Sequence, residues 1–305
     1  MITKEKDIYV AESAIERIYG KIPERPVHLS CENESIDPSF AAGKAALGKD
    51  RLIIDLGEKE VFLPFISVIP KSTSRLPAII YLNYENTVPN KFLPAEEIID
   101  RGYAVFSACI KDITDNSPDF KSGISRQVGG SRRRRLSPGK IALWAWVSIR
   151  LAEYICDLEC IDKDKIIVAG HGILARAAML AGGSCEEIKY IISNCITENP
   201  MPFSRKCDKS GTTVRDFSYL YSPHFAEEPL EDELESLLSF AKSKTLLLGF
   251  ARDSDCILPL KRQKDVPTAP CCISENDYSY HIRSGTEYFS REDWNIYLDF
   301  IDKKA

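Results

Sequence analysis

From residue 76 to the end of the chain, short apolar runs alternate with helical stretches, and no other feature restricts the fold as much. Leu76–Leu82, Tyr103–Ile110, Lys165–Ala169, Ile188–Ser193 and Thr245–Phe250 read as strands. Pro94–Asp100, Ile141–Ile155, Ile173–Ala181, Leu230–Ala241 and Arg291–Asp302 read as helices, and Tyr278–Arg283 is a last extended piece. Strand cores such as Ile166-Ile167-Val168 are apolar throughout, the pattern of strands buried on both faces. The alternation predicts an α/β fold: a mostly parallel sheet with helices on both sides. Ahead of it, Arg51–Leu56 and Val61–Ile69, separated by Gly57-Glu58-Lys59, predict an antiparallel hairpin. Ala14, Ile15, Ile18 and Tyr19 predict a helix over 11–19, stopped by Gly20. Pro23 and Pro26 then impose extended chain. Residues 1–50 are expected to pack as a helix and extended segment on a core formed by 51–305, in one domain overall.

Composition narrows the function classes. The 305 residues carry 40 Lys+Arg against 45 Asp+Glu, a net charge of −5, which gives no global pull toward nucleic acid or anionic membrane. Met1–Glu16 has no apolar signal-like run, and no stretch approaches the ~18 apolar residues of a membrane span. These readings predict a cytoplasmic chain with reduced thiols. The ten Cys are scattered; Cys156 and Cys160, four apart, can supply half a zinc site at most, and the rest read as small buried apolar residues. Neither a metal nor a cofactor is expected.

The stretch Lys165-Ile-Ile-Val-Ala-Gly170-His171-Gly172-Ile173-Leu174-Ala175-Arg176 reads as strand, sharp turn and helix. That is the setting of the G-x-S-x-G nucleophile elbow. The middle residue here is Gly172, which has no side chain.

Around this turn the chain resembles the acetyl xylan esterase-like and glucuronoyl esterase-like α/β hydrolases of bacteria, from about Tyr19 to the C-terminus. The resemblance is carried by Tyr19-Gly-Lys-Ile-Pro23, Val68-Ile-Pro70, Gly102-Tyr-Ala-Val-Phe106, Gly139-Lys-Ile-Ala-Leu-Trp-Ala-Trp146, the elbow and Tyr280-His-Ile-Arg283. It implies an α/β-hydrolase fold and an ester-hydrolase ancestry. The family elbow looks like G-H-S-R-x-G-K; this chain departs from it at Gly172, Ile173, Ala175 and Arg176. The family's base lies in a stretch like Y-H-x-R-x-G-x-H, where this chain ends on Glu287, and His281 matches the earlier, non-catalytic His. Asp253 or Asp255 stands where the family has carboxylates. Two of the three triad groups are therefore absent. Glycine cannot attack a carbonyl, and glutamate, with a reference pKa of about 4.3, activates a hydroxyl far less well than imidazole.

The resemblance also implies binding positions. The Ile173 amide and the Asn83-Tyr84 turn are expected as oxyanion donors, His171 as the elbow neighbour, and Trp146 or Trp144 as a candidate pocket floor or core residue. Arg132–Arg135, with Arg126, reads as a solvated basic loop able to meet phosphate, nucleic acid or an acidic sugar, without a nucleic-acid motif. His224 reads as an exposed loop residue. The leading expectation is a catalytically inactive relative of carbohydrate esterases that keeps a pocket for a carbohydrate or ester-like molecule, or serves a protein partner or paralogue. Two alternatives stay open. One is an ester hydrolase in which Glu287 and Asp253 activate water, and the other is an interaction module using the arginine loop.

Overall fold

The computed structural model describes residues 14–128, 132–196, 214–227, 233–253, 273–274 and 278–304. Its strands are β1 (His28–Asp37), β2 (Ala45–Asp55), β3 (Glu60–Pro70), β4 (Leu76–Asn83), β5 (Ala104–Cys109), β6 (Ile161–His171), β7 (Tyr190–Asn194), β8 (Thr245–Ala251), β9 (Ile273–Ser274) and β10 (Ser279–Arg283). They form one sheet in the order β1-β2-β3-β5-β4-β6-β7-β8-β10-β9. Strands β5 to β10 of that order are parallel, as the alternation predicts. The β1, β2 and β3 end is antiparallel, and β9 closes the other end antiparallel to β10.

The helices are α1 (residues 14–19), α2 (Phe40–Gly43), α3 (Ala95–Asp100), α4 (Ile110–Ile113), α5 (Gly123–Val128), α6 (Lys140–Cys156), α7 (Ile173–Ser184), α8 (Pro223–Glu227), α9 (Glu233–Ala241) and α10 (Arg291–Lys304). One core cluster joins α1, α6, α7 and α9 to one face of the sheet. The other joins α3 and α10 to the opposite face. Helix α6 is buried almost all round because the sheet, α7 and the N-terminal segment enclose it. Arg176 of α7 and Glu233 of α9 form a buried ion pair, Nε to Oε1 3.0 Å, and the Tyr19 hydroxyl donates to the same carboxylate. That contact clamps α1, α7 and α9 together.

The hairpin expected around residue 57 is β2–β3, with Asp55 opposite Glu60. Strand β1 was not legible, because His28–Asp37 is an edge strand with a mostly exposed, polar sequence. Its register comes from backbone pairing with β2, and its charged side chains discourage edge-to-edge association. Residue 50 falls inside β2, so β1 and the first part of β2 are strands of the sheet itself. Residues 11–13, the start of the 230–241 helix, Asp255 and four of the cysteines lie outside the described residues.

The sheet topology fixes where a site can form. From β4 the chain moves to β5 on one side, then returns to β6 on the other. The carboxyl ends of β4 and β6 therefore flank a crevice at a topological switch point, the usual ligand position in such sheets.

Candidate active site

Asn83 and Tyr84 end β4, and Gly172 follows β6, so these residues face one another across that crevice. Gly172 has φ +58° and ψ −122° and is the N-cap of α7. Its amide donates to Asn194 O at 2.9 Å, and its carbonyl accepts from Ala175 N at 3.2 Å. Two residues earlier, a Cβ on Gly170 would lie 2.2 Å from Leu174 O, so strand and helix meet at a separation that only glycine permits. The turn has the strand–apex–helix geometry of a nucleophile elbow, with glycine at its apex.

What stands above the apex is the Tyr84 side chain. A Cβ on Gly172 would lie 3.4 Å from Tyr84 Oη, its one close neighbour among the described residues. The hydroxyl donates to His171 O at 2.9 Å, and the amides of Ile173 and Leu174 face its oxygen. Burial pushes the phenol well above its ordinary pKa, so it stays protonated. The Ile173 amide, expected as an oxyanion donor, faces a side-chain oxygen of this chain. Asn83 is buried and holds the turn after β4. Its Nδ2 donates to Ser107 Oγ at 2.9 Å, and its Oδ1 accepts from Glu85 N at 3.1 Å and Asn90 Nδ2 at 3.2 Å.

His171 is sandwiched against Phe92 and Phe289, with ring centroids 5.4 and 6.1 Å away. Asn194 fixes its tautomer. Asn194 Oδ1 accepts from the Tyr297 hydroxyl at 2.9 Å, and Nδ2 donates to Tyr288 O at 2.8 Å. Nδ2 therefore also donates to His171 Nδ1, at 3.1 Å, which must be the unprotonated nitrogen. Burial pushes the ring down to about 4, so His171 is neutral at physiological pH.

The remaining expected positions lie at the ends of β8 and β10. Asp253 N donates to Gly285 O, and Asp253 Oδ2 accepts from Gly285 N, both at 3.0 Å. The two loops are therefore joined, with the Asp253 carboxylate turned to the backbone beside it. Glu287 is exposed, two residues beyond Gly285, and its charge is among the causes that raise the Tyr84 pKa.

A true histidine–carboxylate pair exists nearby, but inside the core. His281 Nε2 lies 2.8 Å from Asp293 Oδ1, Arg283 Nε donates to Asp293 Oδ2 at 3.0 Å, and His281 and Asp293 are fully buried. Burial opposes the Asp293 charge, yet the hydrogen bonds from His281 and Ser290 and the charge of Arg283 hold its carboxyl below the usual range. This cluster stitches β10 to α10. Sequence reasoning missed Asp293, although Ser290-x-x-Asp293 is a capping-box spacing. Ser290 N donates to Asp293 Oδ2 at 2.7 Å, and Asp293 N donates to Ser290 Oγ at 3.1 Å.

Trp146, Trp144 and His224 sit differently from the expectation. Trp146 is fully buried and ties α6 to the N-terminal segment through Nε1 to Glu24 O at 3.4 Å, with Arg150 over its ring; it is core. Trp144 is core too, donating to Thr114 O at 3.0 Å. His224 is buried in α8, not exposed, with Arg17 and Arg135 Nε each 3.0 Å from a ring nitrogen. Among the described residues no group of His, Cys, Asp and Glu is arranged to hold a metal, and no helix is long and apolar enough to cross a membrane.

Comparison with known proteins supports the fold. No family model matches the chain. A curated protein named carbohydrate esterase MZ0003, from an unknown prokaryotic organism, is 25% identical over 244 residues, 68% of this chain and 55% of that protein. The chain thus spans about half the length of the curated relative it matches. A glucuronoyl esterase from Solibacter usitatus superposes with a TM-score of 0.77 at 20% identity, covering 97% of this chain and 91% of the other. This is an α/β-hydrolase fold. Two further structures bracket the likeness. A CE15 glucuronoyl esterase from Teredinibacter turnerae T7901 has a TM-score of 0.77 at 15% identity, covering 98% of this chain and 84% of the other. Acetyl Xylan Esterase 1 from Thermoanaerobacterium sp. JW/SL YS485 has a TM-score of 0.52 at 11% identity, covering 95% and 98%. At these identities the structures speak for the hydrolase fold alone, and the site rests on the residues themselves.

Proposed function

We propose that this chain is a non-hydrolysing relative of the carbohydrate esterases, in which Gly172 occupies the nucleophile position, Glu287 the base position and Asp253 the acid position. One observation carries the reading: the elbow apex is a glycine, and the Tyr84 hydroxyl lies 3.4 Å from where its Cβ would be. An ester carbonyl needs a nucleophile at that apex and a vacant donor pair beside it. Here no nucleophile is present, and the Ile173 and Leu174 amides already face a phenol oxygen. The retained role is binding or scaffolding, with a carbohydrate or ester-like molecule, an active paralogue or another protein as partner. Among the described residues the thiols of Cys31, Cys109, Cys156, Cys160 and Cys185 are unbridged, which suits a reducing compartment.

Purified protein is expected to show no turnover of 4-nitrophenyl acetate, acetylated xylan or a glucuronoyl ester above that of heat-inactivated protein. Sustained turnover of any one of them contradicts the reading. A second reading, direct attack by water with Glu287 as base and Asp253 behind it, draws support from the joined Asp253 and Gly285 loops. Turnover that disappears in Glu287→Gln favours it over the first.

A further inference from the structure

The basic run at 132–135 is tied into the fold and is not the solvated loop that its charge suggests: Arg133 Nη2 donates to Tyr221 O at 2.8 Å, and Arg135 Nε lies 3.0 Å from His224 Nδ1. The open surface is at β1. This ten-residue strand ends the sheet and, among the described residues, pairs only with β2. Every second residue therefore turns its N–H and C=O outward, a row of groups able to pair with another strand. The register settles which side chains flank that row. Leu29, Cys31 and Ile36 lie opposite Ile54, Leu52 and Gly48, and a bulge between Asn33 and Ser35 keeps Ile36 on the same face as the other two. Ile54 and Leu52 belong to the core cluster that contains α6, so this face of β1 is turned to that helix. Leu29 and Cys31 pack partly against the cluster, whereas Ile36 is 61% exposed and Val27, just ahead of the strand, 76%. The opposite face carries His28, Ser30, Glu32, Ser35 and Asp37. A cleft of about 540 Å³ opens beside the start of the strand, at the C-terminal end of α6. Val27, Leu29 and Leu158 give it an apolar part. Glu153, Asp157 and Glu187 give it an acidic one, with Arg25 Nε 3.0 Å from Glu153 Oε1.

We propose that the β1 edge and this cleft dock an extended, basic segment of a partner protein, added to the sheet as a further strand. Backbone pairing supplies affinity in this mode, and alternate side chains supply specificity. One face of the incoming strand meets Leu29, Cys31 and Ile36 and suits apolar residues, which continue into the cleft. The other meets Glu32 and Asp37 and suits Lys or Arg. Charge selects the occupant. The strand has three carboxylates, Glu32, Glu34 and Asp37, and no Lys or Arg, and the cleft adds three more. Against them stand Arg25 on the cleft, and Lys49 and Arg51 on β2, with Arg51 2.8 Å from Glu32 and 3.6 Å from Glu34. A second copy of this chain paired along the same edge would set like carboxylates against one another, which is destabilising. A polyanion is repelled by the same groups. The edge lies several strands from the β4–β6 crevice, so the inference is independent of whether the elbow hydrolyses esters.

Fluorescence anisotropy of a labelled eight-residue peptide alternating lysine with valine, titrated with the full chain, tests it. Saturable binding is expected, with slowed amide hydrogen exchange across residues 28–37. A peptide alternating lysine with proline keeps the charge but cannot pair along a strand, and one alternating glutamate with valine keeps the strand preference but reverses the charge. Each is expected to bind more weakly, on the order of tenfold. Glu32→Lys with Ile36→Lys, both at exposed positions, is expected to weaken the lysine–valine peptide on the order of tenfold with the melting temperature unchanged. Each single substitution is expected to give part of that loss, which keeps the test informative if the double variant misfolds. No binding of the lysine–valine peptide, equal binding of either control peptide, or equal binding by the folded double variant overturns the proposal. Concentration-dependent dimerisation in sedimentation that the double variant loses overturns it too, because the edge then belongs to a second copy of this chain.

Discussion

The elbow after β6 offers a sharp backbone turn, and the β10–α10 junction a cluster of buried charged side chains. At the elbow the backbone is in place: a sharp apex, a helix start behind it and amides directed at the crevice. The apex residue is glycine, and the Tyr84 hydroxyl lies 3.4 Å from where its Cβ would be. At the junction the side chains are in place: an imidazole, a carboxylate 2.8 Å away and an arginine on the carboxylate's other oxygen. They are sealed from solvent and serve packing. The difference teaches that catalytic vocabulary and catalytic geometry can be separated within one sheet edge. A histidine–aspartate pair does not mark an active site when no reacting group can reach it.

Breaking the junction should have the largest effect. Asp293→Ala leaves the buried His281 and Arg283 without their shared carboxylate, and a loss of about 3–5 kcal/mol is expected in urea unfolding. A loss below about 1 kcal/mol would show that the pair contributes little to stability. At the elbow, His171 supplies a pH signature. Its folded pKa of about 4 lies below the unfolded value of about 6.5, so the unfolded chain binds more protons between them. Stability from this group is complete above pH 6.5, falls as pH drops through that window, and is lost below about 4. The expected change is up to about 3 kcal/mol. His171→Gln should flatten that part of the stability–pH curve, and an unchanged slope would place the proton uptake elsewhere. Gly172→Ser comes next. A side chain at φ +58° is strained, and its Cβ meets Tyr84 Oη at 3.4 Å, so a loss of about 1–3 kcal/mol is expected by thermal melting. Stabilisation would mean the apex accommodates a nucleophile freely. Tyr84→Phe should cost least, about 1 kcal/mol for the bond to His171 O, and no loss at all would show the hydroxyl is not a fixture of the elbow.

Legibility in the sequence follows physical cause. The parallel core was readable because strands buried on both faces are apolar throughout, as in Ile166-Ile167-Val168. The elbow was readable because Gly170 and Gly172 answer to backbone demands that few residues meet. Strand β1 was not, since an exposed edge strand is held by backbone bonds and needs no apolar alternation. Nor was the closing of the crevice by Tyr84. A donor turn and a filling side chain are the same residue in sequence, and only the crossing of β4 past β6 decides which it becomes. His224 misleads for a related reason: a histidine after Ser222-Pro223 looks solvated until α8 brings it against the guanidinium groups of Arg17 and Arg135.

The proposed loss of esterase chemistry traces to three positions: Gly172 at the elbow apex, Tyr84 after β4 and Glu287 after β10. The most direct measurement is the initial rate of 4-nitrophenyl acetate hydrolysis by the unmodified chain beside a variant combining Gly172→Ser, Glu287→His and Tyr84→Ala. A rate at background is expected for the former and a rise on the order of 10²-fold for the latter, the low end of what a placed base contributes. Turnover by the unmodified chain that the triple substitution leaves unchanged or abolishes would contradict it.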